Sequence, residues 1–494
     1  MTDPATRTAP RAAPPAPARN PWPALWALVI GFFMILVDTT IVSVANPAIK
    51  AALDPDSGNL DNVVWVTSAY LLAYAVPLLI TGRLGDRFGP RRVYLVGLAV
   101  FTLASLGCGL SSSLEMLIGM RAVQGLGAAM MTPQTMAVIT RTFPPERRGA
   151  AMGLWGATSG VAMLVGPLAG GFLVDGLGWE WIFFVNIPVG IIGFVLAWIL
   201  VPELETHAHR FDIVGVVLSA IALFLIVFGL QEAEHYDWAP WVWALIIGGV
   251  VVLAGFVWQQ FRTRSEPLVP MSLFHNRNFS VSGIGIVTVG FMASGMALPL
   301  MFFLQLARGL TPTESALLLV PMALAAGVLS PLAGRLLDLV DPRVILVPGL
   351  LVAAVALVWY ALLMNTGTEI WMFLLPSFLL GAGQAGMWGP LATTATRELD
   401  PRLAGAASGV YNTMRTVGSV IGSASIAVLM QSRLEANLPG AGDAEVGFGS
   451  GPLPDFVADG FSTAMAQATL LPAAALLVGA VAVLFLRRPA HLER

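Results

Sequence analysis

Long apolar runs, each ended by a cluster of charged residues, Pro or Gly, constrain the fold of this chain more than any other feature of its sequence. Only 11% of its 494 residues are charged, whereas a soluble globular protein carries roughly 25%. A helix needs about 20 apolar residues to cross a bilayer. The runs therefore predict an all-α polytopic membrane protein with 14 spans, or 12 if two runs do not cross. The predicted spans are 24–47, 62–82, 93–111, 115–140, 149–174, 181–201, 212–231, 240–261, 279–305, 313–336, 344–364, 370–396, 404–430 and 462–486.

The basic residues are sorted between the two sides that these spans define. If the N-terminus lies inside, the inner segments hold 21 basic residues, and the outer loops hold only Lys50, Arg308 and Arg433. An excess of Lys and Arg marks the cytoplasmic side of a membrane protein. Both termini are therefore predicted to be cytoplasmic. We expect 1–21, which is rich in Pro and Ala, to be a disordered tail, and 487–494 to be a second tail.

An internal repeat relates the two ends of the chain. Residues 82–91 (GRLGDRFGPR) return as 334–343 (GRLLDLVDPR), and 149–153 (GAAMG) returns as 405–409 (GAASG). Two co-linear matches favour a repeat over chance similarity between apolar segments. Parallel halves are typical of secondary transporters, whose substrate site lies between the halves near the bilayer midplane. The predicted units are an N-terminal six-helix half at 22–201, two inserted helices at 212–261 and a C-terminal six-helix half at 279–486.

Several functional classes lack the residues that they need. A net charge of −3 argues against nucleic-acid binding, which requires a basic surface. The single cysteine, Cys108, excludes a disulfide framework, and the single lysine, Lys50, does not follow a Gly-rich phosphate loop. No His-Glu-x-x-His or Gly-x-Ser-x-Gly sequence is present. We expect neither an enzyme nor a metal site or cofactor.

Three charges lie well inside the predicted spans: Asp38, Arg121 and Arg415. A charge at the bilayer centre costs roughly 2.5–3.5 kcal/mol and indicates function by default. A buried carboxylate at Asp38 is driven towards its protonated form, and a neighbouring Arg opposes that change. We predict that Asp38 binds the coupling proton and that Arg121 modulates it. The alternative is a structural ion pair between the two, which does not exclude proton binding.

Glycines recur in the fifth predicted span at spacings of three and four, so many of them share one face of the helix. Small residues allow a second helix to pack closely, and a Gly-Pro step weakens the helix. The pattern predicts a hinge or seal for alternating access, with ordinary close packing as the alternative. The residues are Gly156, Gly160, Gly166, Pro167, Gly170 and Gly171.

Two further groups of side chains are candidates for the transport cycle. The repeated loop sequence predicts a charge latch that opens and closes, although the cluster could serve only as an orientation signal; its members are Gly82, Asp86, Arg87, Arg91 and Asp338. Aromatic, Met, amide and Arg side chains within the spans could line a substrate cavity. These are Phe33, Met34, Gln124, Trp155, Met292, Met296, Gln305, Gln384, Trp388, Asn412 and Arg415.

Together these motifs resemble the major facilitator superfamily, and within it the 14-helix drug:proton antiporters of the EmrB/QacA type. Residues 82–92 are similar to the superfamily's loop motif between helices 2 and 3, although Pro90 stands where a basic residue is usual. Residues 121–129 match the helix-4 motif, whose Arg is implicated in proton transfer. Residues 152–171 resemble the antiporter motif of helix 5, with Ala162 in place of one glycine.

Residues 38–42 resemble the first-helix motif of the 14-helix branch, whose Asp is implicated in coupling, and 179–188, 211–212 and 267–270 also resemble that branch. The resemblance implies a multi-pass protein of the bacterial inner (plasma) membrane. It implies export of hydrophobic or cationic drugs in exchange for protons, with the lipid bilayer as surroundings, and we expect a monomer. The alternatives are a dedicated exporter of one natural product or other small solute and, from another class, a channel or sensor.

Overall fold

The computed structural model describes residues 20–54, 61–204, 206, 212–233, 236, 238–263, 266–438 and 455–488. Regular structure within these residues is helical. The first part of the chain forms α1 (Trp22–Leu53), α2 (Asp61–Ala75), α3 (Leu78–Phe88), α4 (Pro90–Gly109), α5 (Leu114–Thr142), α6 (Arg148–Leu177), α7 (Trp181–Phe184), α8 (Asn186–Leu200), α9 (Ile213–Glu232) and α10 (Pro240–Arg262).

The remaining helices follow in the same order as the predicted spans. They are α11 (Ser272–His275), α12 (Arg277–Gly295), α13 (Ala297–Phe302), α14 (Pro312–Leu317), α15 (Val320–Leu337), α16 (Arg343–Leu363), α17 (Leu374–Ala385), α18 (Trp388–Thr396), α19 (Ala404–Asn437) and α20 (Asp455–Val483). Short 3₁₀ turns occupy Pro145–Arg147, Ile370–Phe373 and Pro401–Leu403, and a π turn occupies Phe303–Ala307.

Some of the predicted spans are broken, and the sequence shows why. Pro77 separates α2 from α3, and the apolar parts of these two helices are bent by 47°, because proline cannot donate the backbone hydrogen bond of a continuous helix. A single residue, Gly89, joins α3 to α4 with φ 92°. That left-handed conformation is accessible to glycine at little cost.

The helices pack into two groups. α1–α8 contact one another and form the N-bundle, whereas α12–α20 contact one another and form the C-bundle. The bundles meet mainly where α6 packs against α15 and where α3 and α5 pack against α19. The pair α9–α10 lies outside both bundles, and α9 contacts α2 and α19. Only 17% of the apolar window of α10 is buried, as expected for a helix that faces lipid.

Eleven helical segments of the described residues are long and apolar enough to cross a membrane, and twelve if α2 and α3 form one span. α5 and α6 are not among them, so the count of 14 stays a prediction. α5 carries Arg121, Gln124 and Gln134, which lower its hydropathy, yet all three side chains are fully buried. They therefore face neighbouring helices and not lipid, which is how a span can carry polar groups.

Asp212 forms hydrogen bonds with both the start of α9 and the end of α10, the two inserted helices. Its carboxylate caps α9 by accepting from the backbone amide of Gly215 at 2.8 Å, and it accepts from the side chains of Gln259 at 3.0 Å and Gln260 at 2.6 Å. Gln260 in turn accepts from the amide of Val269 at 2.9 Å. One carboxylate thus orders both ends of the α9–α10 hairpin and the segment that follows it.

We expect Asp212→Ala to destabilise the protein by about 2–3 kcal/mol, because it removes a helix cap and two further hydrogen bonds to a charged group. Ser113→Ala is the matched control, since Ser113 caps α5 through one bond, from Met116, and should cost about 1 kcal/mol. Thermal unfolding in detergent measures both. Equal losses for the two variants would show that the bonds to Gln259 and Gln260 contribute nothing.

Candidate functional site

Asp38, in α1, is fully buried and accepts three hydrogen bonds. One carboxylate oxygen lies 2.6 Å from the Nη1 atom of Arg121. The other accepts from the side-chain amides of Gln124 at 2.8 Å and Asn186 at 3.0 Å. The charge is therefore paired and hydrogen-bonded, which is the condition for keeping a carboxylate away from water. The structure brings together the two residues that the sequence predicts for proton coupling.

Arg121, in α5, is held from several sides. Its Nε donates to the carbonyl oxygen of Val66 at 3.0 Å. Its guanidinium lies 4.1 Å from the centre of the Tyr70 ring and 5.8 Å from that of Phe183, both within the range of a cation–π contact. Its Nη2 has no hydrogen-bond partner among the described residues. The N–H groups of this nitrogen are therefore not satisfied by the described residues.

A second layer of polar side chains surrounds the pair. Gln124 donates to the hydroxyl of Ser105 at 2.7 Å and accepts from Arg121 at 2.6 Å. Ser105 lies in α4 and Asn186 begins α8, so α1, α4, α5 and α8 converge on Asp38. Sequence reasoning places Gln124 in a substrate cavity and misses Ser105 and Asn186. Asn186 lies in the segment 179–188 that resembles the 14-helix branch, which is the signal that could have found it.

The glycine-rich helix α6 has two different contacts. Near its start it approaches the C-bundle: a Cβ added at Gly156 would lie 3.2 Å from the amide of Gly389, and one at Gly160 would lie 2.8 Å from Ala326. Further along it approaches α1, where a Cβ at Gly166 would lie 1.8 Å from the hydroxyl of Thr40. Thr40 follows Asp38 by two residues. The antiporter motif thus lies between the buried carboxylate and the other bundle.

Two of the remaining residues of the motif, Gly170 and Gly171, add less to the contacts of α6 with α1 and the C-bundle. Gly170 is buried, whereas none of the described residues lies within 4 Å of a Cβ at Gly171. The side chain of Pro167 lies outside the described residues. The close contacts of the motif are therefore at its first three glycines, and its role as a hinge or seal stays a prediction.

Asp86, at the end of α3, forms a bond between the bundles. Its carboxylate accepts from the backbone amides of Gly405 at 3.0 Å and Ala406 at 2.9 Å, in the first turn of α19. It also accepts from Arg141 of its own bundle at 2.6 Å. A carboxylate at a helix N-terminus satisfies free amides and interacts favourably with the helix dipole. We call this arrangement the first latch.

The same arrangement recurs with the bundles exchanged. Asp338, at the end of α15, accepts from the amides of Gly149 at 3.0 Å and Ala150 at 3.2 Å, in the first turn of α6, and forms an ion pair with Arg397 of its own bundle. We call this the second latch. Both latches lie on the face that the charge count predicts to be cytoplasmic. Because both are made, that face is closed in this structure.

Other members of the predicted latch have different neighbours. Gly82 is part of the first latch, because a Cβ there would lie 2.4 Å from the carbonyl oxygen of Gly405. Arg91 forms an ion pair with Glu203 at 3.4 Å, within the N-terminal part of the chain. Arg87 is exposed, and its guanidinium lies 5.3 Å from the centre of the Phe88 ring. These contacts of Arg87 and Arg91 are with residues of the N-terminal part of the chain and do not join the two bundles.

Sequence reasoning misses the two arginines that complete the latches. The signal was present, because Arg141 precedes Gly149 by the same eight residues by which Arg397 precedes Gly405. Arg141 also donates to the carbonyl oxygen of Pro401 at 3.1 Å. The N-bundle arginine thus contacts both the acidic residue of its own bundle and the loop that leads into α19.

We expect Gly153→Ala to reduce transport at least tenfold, because a Cβ at Gly153 would lie 2.5 Å from the carbonyl oxygen of Ser330 in the C-bundle. Backbone at that distance must move, so the closed face cannot form as it stands. Gly171→Ala is the matched control in the same helix, since a Cβ there meets no atom of the residues that the structure describes. Efflux of a fluorescent dye from cells with equal amounts of each variant measures the effect. Equal activity of the two variants would contradict this role.

The side chains predicted to line a cavity fall into three groups. Met34, Trp155, Met292 and Met296 are buried in the apolar cores, and Gln384 lies against Met322. Phe33, Gln305 and Trp388 are partly exposed. Asn412 and Arg415 lie on α19, which faces the N-bundle. The Nη2 of Arg415 donates to the hydroxyl of Tyr74 at 3.0 Å, across the boundary between the bundles.

Two helical bundles joined at one face, with a paired charge buried inside the N-bundle, have the architecture of a membrane transporter. A family model for the Major Facilitator Superfamily matches residues 28–423. The chain belongs to this family, whose members are transporters and not enzymes, and it is a multi-pass protein of the bacterial inner membrane. The all-α major facilitator fold that the sequence predicts is confirmed.

Proteins of known sequence agree with this assignment. The chain is 53% identical to an uncharacterized MFS-type transporter of Mycobacterium tuberculosis, over 96% of this chain and 83% of the relative. It is 33% identical to the tetracenomycin C resistance and export protein of Streptomyces glaucescens, over 96% and 93%. It is 34% identical to the multidrug resistance protein Stp of M. tuberculosis, over 84% and 76%.

The fold also matches solved structures. A structure of the proton:xylose symporter XylE superposes with a TM-score of 0.60 at 15% identity, covering 92% of this chain and 94% of that chain. At this identity the likeness concerns the fold alone. The chain is therefore a major facilitator with relatives that act in drug resistance and export.

Proposed function

We propose that the protein exports hydrophobic drugs or other toxic compounds from the bacterial cell in exchange for protons. The observation that carries this proposal is Asp38, a carboxylate fully buried among four helices and paired with Arg121 at 2.6 Å. Proton binding neutralises the carboxylate, and Arg121 then lacks its counter-charge. The site therefore has two charge states of different structural preference, as proton coupling requires.

The contacts of α6 supply a physical connection from this site to the latches. Gly166 packs against Thr40, beside Asp38, and Gly149 at the other end of the same helix donates to Asp338. A shift of α1 on protonation displaces α6, because Gly166 leaves no space between α6 and the side chain of Thr40. The second latch then loses its alignment. Protonation on one side of the membrane is thereby linked to opening of the other.

The experiment that tests the proposal is uptake into everted membrane vesicles from cells with and without the protein. Three dyes are compared: ethidium (a cation), Nile red (neutral) and fluorescein (an anion). We expect uptake of at least one dye to start when respiration acidifies the vesicle interior and to stop when an uncoupler is added. If none of the three is taken up in an uncoupler-sensitive way, the proposed function is wrong.

A second candidate is dedicated export of one natural product. The observation that favours it is the relative named for tetracenomycin C resistance and export, which aligns with 96% of this chain. A competition assay separates the two: a multidrug exporter transports several unrelated dyes, whereas a dedicated exporter transports one compound and its close analogues. A gene neighbourhood that encodes biosynthetic enzymes would favour the dedicated exporter.

A further inference from the structure

Arg415 is the third charge within the predicted spans, and it differs from the other two. Asp38 and Arg121 neutralise each other at 2.6 Å. Among the described residues no acidic side chain forms an ion pair with Arg415, and its Nε has no hydrogen-bond partner. Of the three charges within the predicted spans, Arg415 is therefore the one without a counter-charge among the described residues.

Arg415 is placed where a transported molecule is expected. Its side chain crosses from the C-bundle to Tyr74 of the N-bundle and is only partly buried. It follows the latch residue Gly405 by ten residues on the continuous helix α19, which corresponds to about 15 Å along the axis. Half of a hydrocarbon core is also about 15 Å. Arg415 therefore lies near the midplane, at the boundary between the bundles, where transporters of this architecture bind substrate.

The neighbours of Arg415 add polar groups that lack partners. Tyr411 lies one turn earlier, within electrostatic range of Arg415, and its hydroxyl has no hydrogen-bond partner among the described residues. The Oδ1 atom of Asn412 also has none, while its amide nitrogen donates to Ser408 at 2.9 Å. Residues three and four apart share a helix face. A guanidinium and a phenol hydroxyl on one face offer convergent donors to an anion.

The boundary is closed on the latch side of this group. The hydroxyl of Ser408 donates to the carbonyl oxygen of Pro133 at 2.8 Å, joining α19 to α5. Arg415 lies two turns beyond this contact, away from the latches. Arg415 therefore lies on the side of this contact that faces away from the latches, and its side chain is only partly buried there.

We propose that Arg415 binds an acidic group of the transported molecule, so that the protein prefers hydrophobic acids, such as aromatic carboxylates and phenolates, to hydrophobic cations. A cation that enters this boundary meets an unpaired like charge, whereas an anion supplies the missing partner. The proposal rests on the proposed export function and narrows its substrate class. It also departs from the sequence-based expectation of cationic substrates.

The test compares fluorescein with ethidium, in binding to the purified protein in lipid nanodiscs and in proton-driven uptake into everted vesicles. We expect Arg415→Gln to weaken fluorescein binding at least tenfold, because a charge-assisted hydrogen bond to an anion is worth at least that factor. Arg415→Lys should lose less, since it keeps the charge. Ethidium should not lose affinity in either variant. Thr416→Val is the control, since the Thr416 hydroxyl bonds only within α19, to Asn412.

A second variant changes affinity in the opposite direction. Tyr74→Phe removes the hydroxyl that accepts from Arg415 and should tighten fluorescein binding. In the unchanged protein the guanidinium must give up its bond to Tyr74 in order to bind the anion, whereas in the variant it has no such bond to lose. This result does not depend on whether Arg415→Gln folds. The inference is overturned if Arg415→Gln weakens both dyes equally, if it leaves fluorescein binding unchanged, or if uncoupler-sensitive uptake occurs with ethidium and not with fluorescein. That last outcome would leave the proposed export function intact.

Discussion

Replacing Asp38 by Asn should abolish proton-driven accumulation of substrate while leaving downhill exchange of substrate across the membrane. Asn has nearly the same shape and keeps hydrogen-bonding atoms, but it cannot bind and release the proton. One proton entering the cell supplies about 2.3 kcal/mol per 100 mV of membrane potential and about 1.4 kcal/mol per pH unit. About 3.7 kcal/mol supports a gradient of a few hundred-fold for a neutral substrate. Without coupling, that ratio should fall to roughly one.

The measurement is proton release from everted vesicles when substrate is added, together with counterflow of labelled substrate. We expect Asp38→Asn to lose the first and keep the second. Thr39→Val is the matched control, because Thr39 follows Asp38 directly but is not one of the three donors to its carboxylate. Its hydroxyl donates to the carbonyl of Ile35 at 2.9 Å. Undiminished substrate-driven proton release in Asp38→Asn would remove Asp38 as the coupling residue.

The variant also leaves Arg121 buried without its counter-charge, and breaking a buried ion pair costs roughly 3–5 kcal/mol. A double variant, Asp38→Asn with Arg121→Gln, removes both charges and avoids this cost. Both variants should lack coupling, but the double variant should be the more stable. If the double variant regains proton-driven transport, the pair is structural and the proton is carried elsewhere.

Much of the buried charged site could be predicted from the sequence because burying charge is expensive. An Asp and an Arg within apolar runs must be paired or functional, and this argument alone identifies Asp38 and Arg121. It does not identify Ser105 or Asn186, since uncharged polar residues are common in spans and carry no comparable penalty. Their place beside Asp38 depends on how α4 and α8 pack, which periodicity does not specify.

The acidic residues of the two latches could be predicted from the internal repeat, but their bonding partners could not. The repeat indicates that Asp86 and Asp338 occupy equivalent positions, but it does not indicate that each bonds to the helix start of the opposite bundle. The repeated segment that begins at Gly149 and Gly405 supplies those amides. The repeat shows that Asp86 is equivalent to Asp338 and that Gly149 is equivalent to Gly405. The hydrogen bonds instead join non-equivalent positions, since each Asp of one half bonds to the Gly of the other half. Helix breaks such as Pro77 were missed because a long apolar run hides a bend.

Asp86→Asn and Asp338→Asn should each open the latch face. Hydrogen bonds to a charged acceptor contribute about 1.5–3 kcal/mol, and Asn keeps only part of this interaction. The population in which the bundles are separated at this face should therefore rise roughly tenfold in each variant. Because the two latches join different helix pairs, their effects should add in the double variant.

Spin labels at two exposed positions, Arg92→Cys in the N-bundle and Arg402→Cys in the C-bundle, measure that separation. The background carries Cys108→Ser, because Cys108 is the one cysteine of the chain. We expect the distribution of distances to shift to longer values in each latch variant and further in the double variant. Asp341→Asn is the control, since Asp341 lies in the same loop as the second latch but lies 3.9 Å from Arg343 of its own bundle. Unchanged distances in both latch variants, or an equal shift in the control, would show that the carboxylates do not hold the bundles together.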